Sequence, residues 1–572
     1  MTRTDSIVVG TLVVLLALVA GLVGLPALET TAARATPTPL EPAEIAPYRE
    51  GVVGHPVSIN PLTARSQADR DLVALIFSGL VRNGPGGTLV PDLARRWSVD
   101  SAGKVWTFEL RDDATWQDGE PVTAEDVAFT IRTLQDPAYV GPAAGSWTEV
   151  QVRAISDRIV TFTLTTPLGG FLQAATQPIA PAHILADVPI DILADHPFGT
   201  QPVGSGPFAL AELTDTTASL VPVTETTFEP EPAASGTVDS LETAGPTLRP
   251  DRPAPYLPGI EFTFFDDDAS LAAAYRAGDL DAASGLTPAD AAELAAEPDS
   301  RLLKYPGATL TAALLNLRPS HPEFADPTVR TALLAGIERS RIVDNVFAGA
   351  AAEATGPIPP SSPMFDAKAD PPVAYDRAAT RKALLAAGWT IKDDGWYLPK
   401  ATKPLAMEVL SPDQKSNQTA WASAAQVAQD WRRLGFDVTH IGIPAGEFVD
   451  RLAKGLYQVA VTDVTIGLDP DLYPLLASTQ TVTGASNIIG VQDPILDGLL
   501  TAARAPGTME ARKAAYSTLQ ARLATGRYVL PLAFADEVVV ARDTLEGVVI
   551  RQVADASDRF WDVLTWRLAE GR

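Results

Sequence analysis

Apolar and polar positions along this chain follow two periods, separated by stretches rich in proline and glycine. Asn60-Pro61 signals a turn, and Asp69 stands where it can cap a helix carrying Leu72, Leu75, Ile76 and Leu80 at steps of three and four. Lys104-Val-Trp-Thr-Phe-Glu-Leu-Arg111 alternates instead, the period of a strand with one buried face, and Asp118-Gly119 supplies a tight turn. Thr123-Ala-Glu-Asp126 has the form of a capping box, with Asp in place of the usual Glu or Gln. The helix it opens runs through Val127, Phe129 and Leu134. Ile260 to Phe265 reads as a strand. Beyond Tyr305, helices and strands alternate. Asp376 caps a helix that Gly388 stops, with Leu384, Leu385 and Ala387 on its apolar side. Another carries Trp421, Ala424, Ala428 and Trp431, ends at Gly435, and is followed by a strand from Phe436 to Ile441. Such helix-then-strand units predict an α/β lobe. No internal repeat is visible.

The pattern breaks in two places. From Ile7 to Leu28 the chain carries no charge, matching the roughly 20 residues a helix needs to cross a bilayer and exceeding the apolar core of about 7–15 residues in a secretory signal. Residues 1–29 therefore read as a membrane anchor or a signal segment. The length favours the anchor, while Ala33-Arg34-Ala35 offers small residues for cleavage before Thr36. Either way the folded part is expected outside the cytoplasm, and Arg3 on the short inner side has the correct sign for that orientation. Residues 30–47, rich in Ala, Thr and Pro, read as an extended linker. Residues from about 224 to 258, mostly Glu, Pro, Thr, Ala and Gly, read as a loop insertion too polar to pack.

Charge and composition narrow the function. The formal net charge is −26, from 70 acidic and 44 basic residues, a field that repels nucleic acid and anionic lipid. The absence of cysteine removes disulfides, thiolate nucleophiles and Cys-based metal sites. Five histidines lie far apart, and no phosphate loop, dinucleotide fingerprint or Gly-x-Ser-x-Gly nucleophile motif occurs; Gly204-Ser205-Gly206 is not one. Asp266-Asp267-Asp268 reads as a solvated strand end. No catalytic residue, metal ligand or cofactor is therefore expected. One segment, Val461-Thr-Asp-Val-Thr-Ile-Gly-Leu-Asp-Pro-Asp-Leu-Tyr-Pro474, joins a strand-like run to a turn where backbone and carboxylates can meet a ligand. From spacing alone the simpler reading, that Asp469-Pro470-Asp471 caps the next helix, is preferred.

Five separated segments carry a resemblance. They are Asn60-Pro61 through Leu80 with Pro91-Asp-Leu-Ala-Arg-Arg-Trp97; Trp106-Thr-Phe-Glu-Leu-Arg111 with Trp116-Gln-Asp-Gly-Glu-Pro-Val-Thr-Ala-Glu-Asp-Val127; and Pro202-Val-Gly-Ser-Gly-Pro-Phe208. The last two are Leu314-Leu-Asn316 through Arg330, Ile342-Val343 and Gly356-Pro-Ile-Pro359, and then Gly467-Leu-Asp-Pro-Asp-Leu-Tyr473 with Asn487, Asp493-Pro494 and Leu530-Pro-Leu532. In this order the chain resembles the peptide- and nickel-binding importer subunits known as solute-binding family 5.

The resemblance implies an α/β, two-lobed periplasmic-binding-protein-like fold with an extra subdomain, its hinge-linked lobes closing on a central cleft. The first lobe is expected over 48–305 plus 533–572, with the subdomain at about 86–165, and the second over 306–532. It implies capture of a peptide or similar small solute and delivery to ABC permease subunits, without a reaction. A membrane-anchored sensor of the same fold is the alternative. Candidate ligand contacts carried over from the family are Ser66, Gln67, Asn316, Asp463, Thr465, Asp469 and Asn487. In family members that bind peptides, an Asp three positions before the Asp-Pro anchors the peptide amine. Here that position is Ile466, with Asp463 as the substitute on the same run. The expected ligand is therefore uncharged or amine-blocked, such as a modified peptide or an oligosaccharide. If Asp463 replaces the lost anchor, free-amine peptides bind instead.

Overall fold

Two long antiparallel strands run through the middle of one mixed sheet and divide it between two cores. The computed structural model describes residues 46–142, 147, 149–223, 255–481 and 486–569. The anchor or signal segment, nearly all of the 30–47 linker and most of the 224–258 insertion lie outside the described residues. Residues 47–572 form one compact unit, distinct from residues 1–46. Among the described residues no helix is long and apolar enough to cross a membrane.

The central sheet has eleven strands: β1 (Tyr48–Val53), β2 (Phe208–Leu213), β3 (Thr217–Pro222), β4 (Ile260–Phe265), β5 (Ala282–Ser284), β6 (Ser300–Leu315), β7 (Ala351–Glu353), β8 (Ala406–Pro412), β9 (Asp437–Ile443), β10 (Val459–Thr465) and β11 (Leu530–Arg542). Their order is β9-β8-β10-β6-β11-β5-β1-β4-β3-β2, with β7 on β11. The pairs of β1 with β4 and β5, and of β8 with β9 and β10, are parallel. Strands β6 and β11 pair from Ser300 opposite Arg542 to Ala313 opposite Leu530, with register shifts near Pro306–Leu310 and Thr311–Ala312. Leu303, Tyr305, Val539 and Ala541 enter one core with Tyr48, Val52 and Phe262. Ala313, Leu315, Leu530 and Leu532 enter another with Val409, Trp431 and Val461. Two lobes are thus stitched by two strands whose pairing is irregular where they pass between cores.

A separate antiparallel sheet, in the order Ala94–Val99, Val105–Leu110, Ile159–Leu164, Val150–Ser156, joins the first core. Val105–Leu110 alternates in burial along its length, as its sequence predicts. Phe171 packs against Trp106, Trp147 and Phe162 with ring centroids 5.3–5.8 Å apart, the offset and edge-on spacing aromatic rings favour.

Local chemistry at helix ends follows the sequence with some corrections. Helix α1 (Gln67–Ile76) is capped by Ser66, not Asp69. Asp69 is the third helical residue and returns the capping box, accepting also from the Val57 and Ser58 amides, and Leu80 lies beyond the helix. Helix α2 (Ala124–Gln135) opens with the Asp126 carboxylate accepting from the Thr123 amide (2.7 Å) and hydroxyl (2.9 Å). Leu385, assigned to the apolar side of the Arg377–Ala386 helix, is 46% exposed. Ser205 is buried and receives the Ser78 amide, so Gly204-Ser205-Gly206 is a packing turn. Asp267 caps the Asp268–Ala277 helix through the Ser270 amide. After β11 the short helical segment Ala556–Thr565 packs against α1. There Arg559, 2% exposed, donates to Asp71 (2.6 and 2.7 Å) and Glu50 (2.7 Å).

Candidate solute cavity

Strand β10 lies antiparallel to β6 with Asp463 opposite Thr311, an arrangement that sets Asp463 beside the Thr311 hydroxyl. That hydroxyl donates to one Asp463 oxygen (2.6 Å), and the Asn417 side-chain amide donates to the other (2.7 Å). Asn417 is itself fixed as the cap of α3 (Gln418–Arg433), accepting from the Ala420 amide at 2.9 Å. Past β10 the chain bends at Gly467, whose φ of +80° suits glycine. It then turns through Leu472, Pro474 and Leu475. Helix α4 (Ala445–Ala453) brings Phe448, Val449 and Leu452 to the same place.

Together these elements line a cavity of about 560 Å³ whose wall is mostly apolar. That volume is in the range of small-molecule sites, which combine apolar walls with a few placed polar groups. Val449 is 63% exposed, a large apolar side chain open to whatever enters. Two carboxylates reach the wall. Burial pushes the Asp471 carboxyl up, while Arg504, 3.0 Å away, and the Tyr473 amide pull it back. Among the described residues, Asp463 has only the two neutral donors.

The structure brings Asp463 and Thr465 together in this wall, with Ile466 beside them. It does not bring the other candidates there. Ser66 caps α1, and Gln67 donates to Asp71 (2.6 Å) and accepts from Arg70 (2.8 Å). Asn316 is buried. Its amide donates to the Gly455 and Tyr457 carbonyls and its oxygen accepts from Arg318. Asn487 is buried and clamps its own loop, donating to the Ala477 and Val491 carbonyls and accepting from the Gly490 and Val491 amides. Asp469 is held by Arg512 at 2.8 and 2.9 Å. Missing from the sequence reading were Asn417, Phe448, Val449, Leu452 and Leu475. Phe448 and Leu452, four apart after Pro444, were the available signal of a helical face.

Cores on either side of two crossing strands, with an open apolar cavity on one side, define a two-lobed binding protein. The chain belongs to the bacterial extracellular solute-binding proteins, family 5, whose middle-region model matches residues 88–487, and it is a solute-binding subunit of the ABC-importer class. It is similar to protein XP55 of Streptomyces lividans, 28% identical over 87% of this chain and 85% of that one. It is also similar to the nickel-binding periplasmic protein of Escherichia coli K12, 26% identical over 87% and 91%. Its fold matches the oligopeptide-binding protein AppA of Bacillus subtilis, solved with a nonapeptide. The TM-score is 0.67 at 20% identity, over 92% of this chain and all of that one.

Proposed function

We propose that this chain captures a peptide-like solute carrying a free cationic group, which Asp463 receives while an apolar neighbour fills the cavity against Phe448, Val449, Leu452, Leu472 and Leu475. One observation carries this reading. Asp463 faces the cavity, each of its oxygens accepts one bond from a neutral donor, and among the described residues no Lys, Arg or His pairs with it. A carboxylate has about four acceptor positions, so two remain open. Neutral donors do not cancel its charge, and a charge in a largely apolar wall is costly until paired. The nonapeptide held by AppA, a protein of the same fold, supports a peptide-like solute.

A second reading, an amine-blocked peptide or an oligosaccharide, is favoured by Ile466. It lines the cavity, is 7% exposed, and occupies the position where the family resemblance puts an amine-anchoring Asp. Calorimetry with matched free and N-acetylated peptides separates the two. In the first reading, N-acetylation and Asp463→Asn each weaken binding by about 1.5–3 kcal/mol, the worth of a charge-assisted hydrogen bond. Equal affinity for both peptides selects the second.

In this proposal the first lobe comprises residues 48–305 and 533–572, with the subdomain at about 86–165, and the second comprises 306–532. The division of β6 and β11 between two cores supports that partition. The solute passes unchanged to a membrane permease, and the protein performs no reaction on it. Residues 1–29 hold it at the membrane; a mature N-terminus at Thr36, found by sequencing, defeats the tether.

A further inference from the structure

We propose that the two lobes clasp each other through a patch of glycines, and that Asp469 is the seat of this clasp rather than a solute contact. The inference rests on the lobe assignment above.

The first lobe's contribution is the segment 167–171, fixed by Phe171 in the first core, together with Gly103 in the turn between the first two strands of the small sheet. The second lobe's contribution is the connection between α5 (Pro494–Ala503) and α6 (Met509–Gly526), with Asp469 beside it. The Gly169 amide donates to the Arg504 carbonyl at 2.7 Å, a backbone hydrogen bond from lobe to lobe. The approach leaves no room for side chains. A Cβ on Gly169 would lie 2.8 Å from the Ala505 carbonyl oxygen, and one on Gly170 would lie 2.5 Å from Asp469 Oδ2 and 2.7 Å from its Cγ. A Cβ on Gly103, where φ is +68°, would lie 2.3 Å from Pro506 Cγ. Each is closer than van der Waals contact allows, so three separate positions meet the other lobe with bare backbone.

The receiving surface is braced. Arg512 holds the Asp469 carboxylate at 2.8 and 2.9 Å and the Tyr516 hydroxyl stands 3.4 Å away. Arg504 is paired with Asp471 and lies over the Tyr473 ring at 4.5 Å. A methyl group added at position 170 therefore meets a fixed carboxylate, not the loose end of a side chain. The turn that receives Gly170 also supplies Asp471, Leu472, Pro474 and Leu475 to the cavity wall.

The chain has no cysteine, so introduced pairs report without background. The Cβ built on Gly103 is 3.4 Å from Pro506 Cβ, close to the spacing a disulfide needs. Mild oxidation of the Gly103→Cys, Pro506→Cys variant is expected to form the crosslink, and adding Gly170→Val should slow its formation at least tenfold. Failure to crosslink, or the same rate with Gly170→Val, overturns the proposal. Should Cys be poorly tolerated at position 103, spin labels on Thr166→Cys and Glu510→Cys, both exposed, make the same test. The interlobe distance distribution should shift to longer distances on Gly170→Val, and an unchanged distribution overturns the clasp. Neither readout needs a bound solute, so each stands apart from the ligand assignment tested by calorimetry.

Discussion

Replacing Arg559 by Met should unfasten the C-terminal segment from helix α1 and strand β1. Arg559, Asp71 and Glu50 are all at most 2% exposed. Desolvation disfavours the Arg559 charge, yet Asp71 and Glu50 outweigh it and hold its pKa well above the ordinary value. Burial already pushes Asp71 up, with Arg559 as the main opposing influence. Removing the guanidinium leaves two carboxylates in a dry site, a loss of roughly 3–5 kcal/mol for one broken buried ion pair. At about 2.1 cal/mol/K of unfolding entropy per residue, a unit spanning residues 47–572 shifts by about 1 °C per kcal/mol, so the melting transition should fall by about 3–5 °C. Differential scanning calorimetry at pH 7 measures the fall. The deficit should shrink toward pH 4, because Asp71, pushed up by burial, can then take up a proton on folding. Replacing all three residues by apolar ones of similar volume should recover most of the loss. A fall of under about 1 °C for Arg559→Met alone would rule this out, since the cluster would then hold nothing that water cannot replace.

Two titrations give predictions of opposite sign. Burial of Asp493 would raise its pKa, but the Tyr528 hydroxyl and Arg522 outweigh this and lower it from 3.8 to about 2. Its stabilisation is therefore complete above pH 4 and lost as pH falls toward 2, so the melting-temperature deficit of Asp493→Asn should narrow across that window; a deficit independent of pH contradicts it. Burial raises Asp536, opposite Pro306 at the register shift of β11, to about 6 against the pull of Lys304. Its desolvation cost is complete above pH 6 and relieved as pH falls toward 3.8, so Asp536→Asn should stabilise the protein at pH 7 and match the wild type at pH 4; a less stable Asn variant at pH 7 rules this out.

Strands and helices buried on one face were legible in the sequence. Ile260–Phe265 alternates in burial along its whole length, and the strand after Gly435 was displaced only slightly, to Asp437–Ile443. Strand β6 was not legible as one element. Leu310, Ala312 and Leu314 face one core while Ala313 and Leu315 face another, so a strand apolar on both sides shows no period. The α1 cap was misplaced because Ser66 and Asp69 are equally good cap residues, and only the backbone shows which stands outside the helix. In the site, Asp463 and Thr465 could be found from a strand running into a turn. Asn316 and Asn487 show the limit of residue type as a guide. Their amides have the chemistry to hold a ligand, but the loop carbonyls of Gly455, Tyr457, Ala477 and Val491 take them first.

In the proposed function the cavity lined by Phe448, Val449 and Leu452 holds the solute. Titration calorimetry of a mixed tripeptide library into the protein and into Val449→Trp tests it most directly. Val449 is exposed at the cavity wall, so an indole there should occupy the space without disturbing the core. One-to-one binding is expected for the unmodified protein and none for the variant, with the same melting temperature for both without peptide. Undiminished binding by Val449→Trp would contradict it.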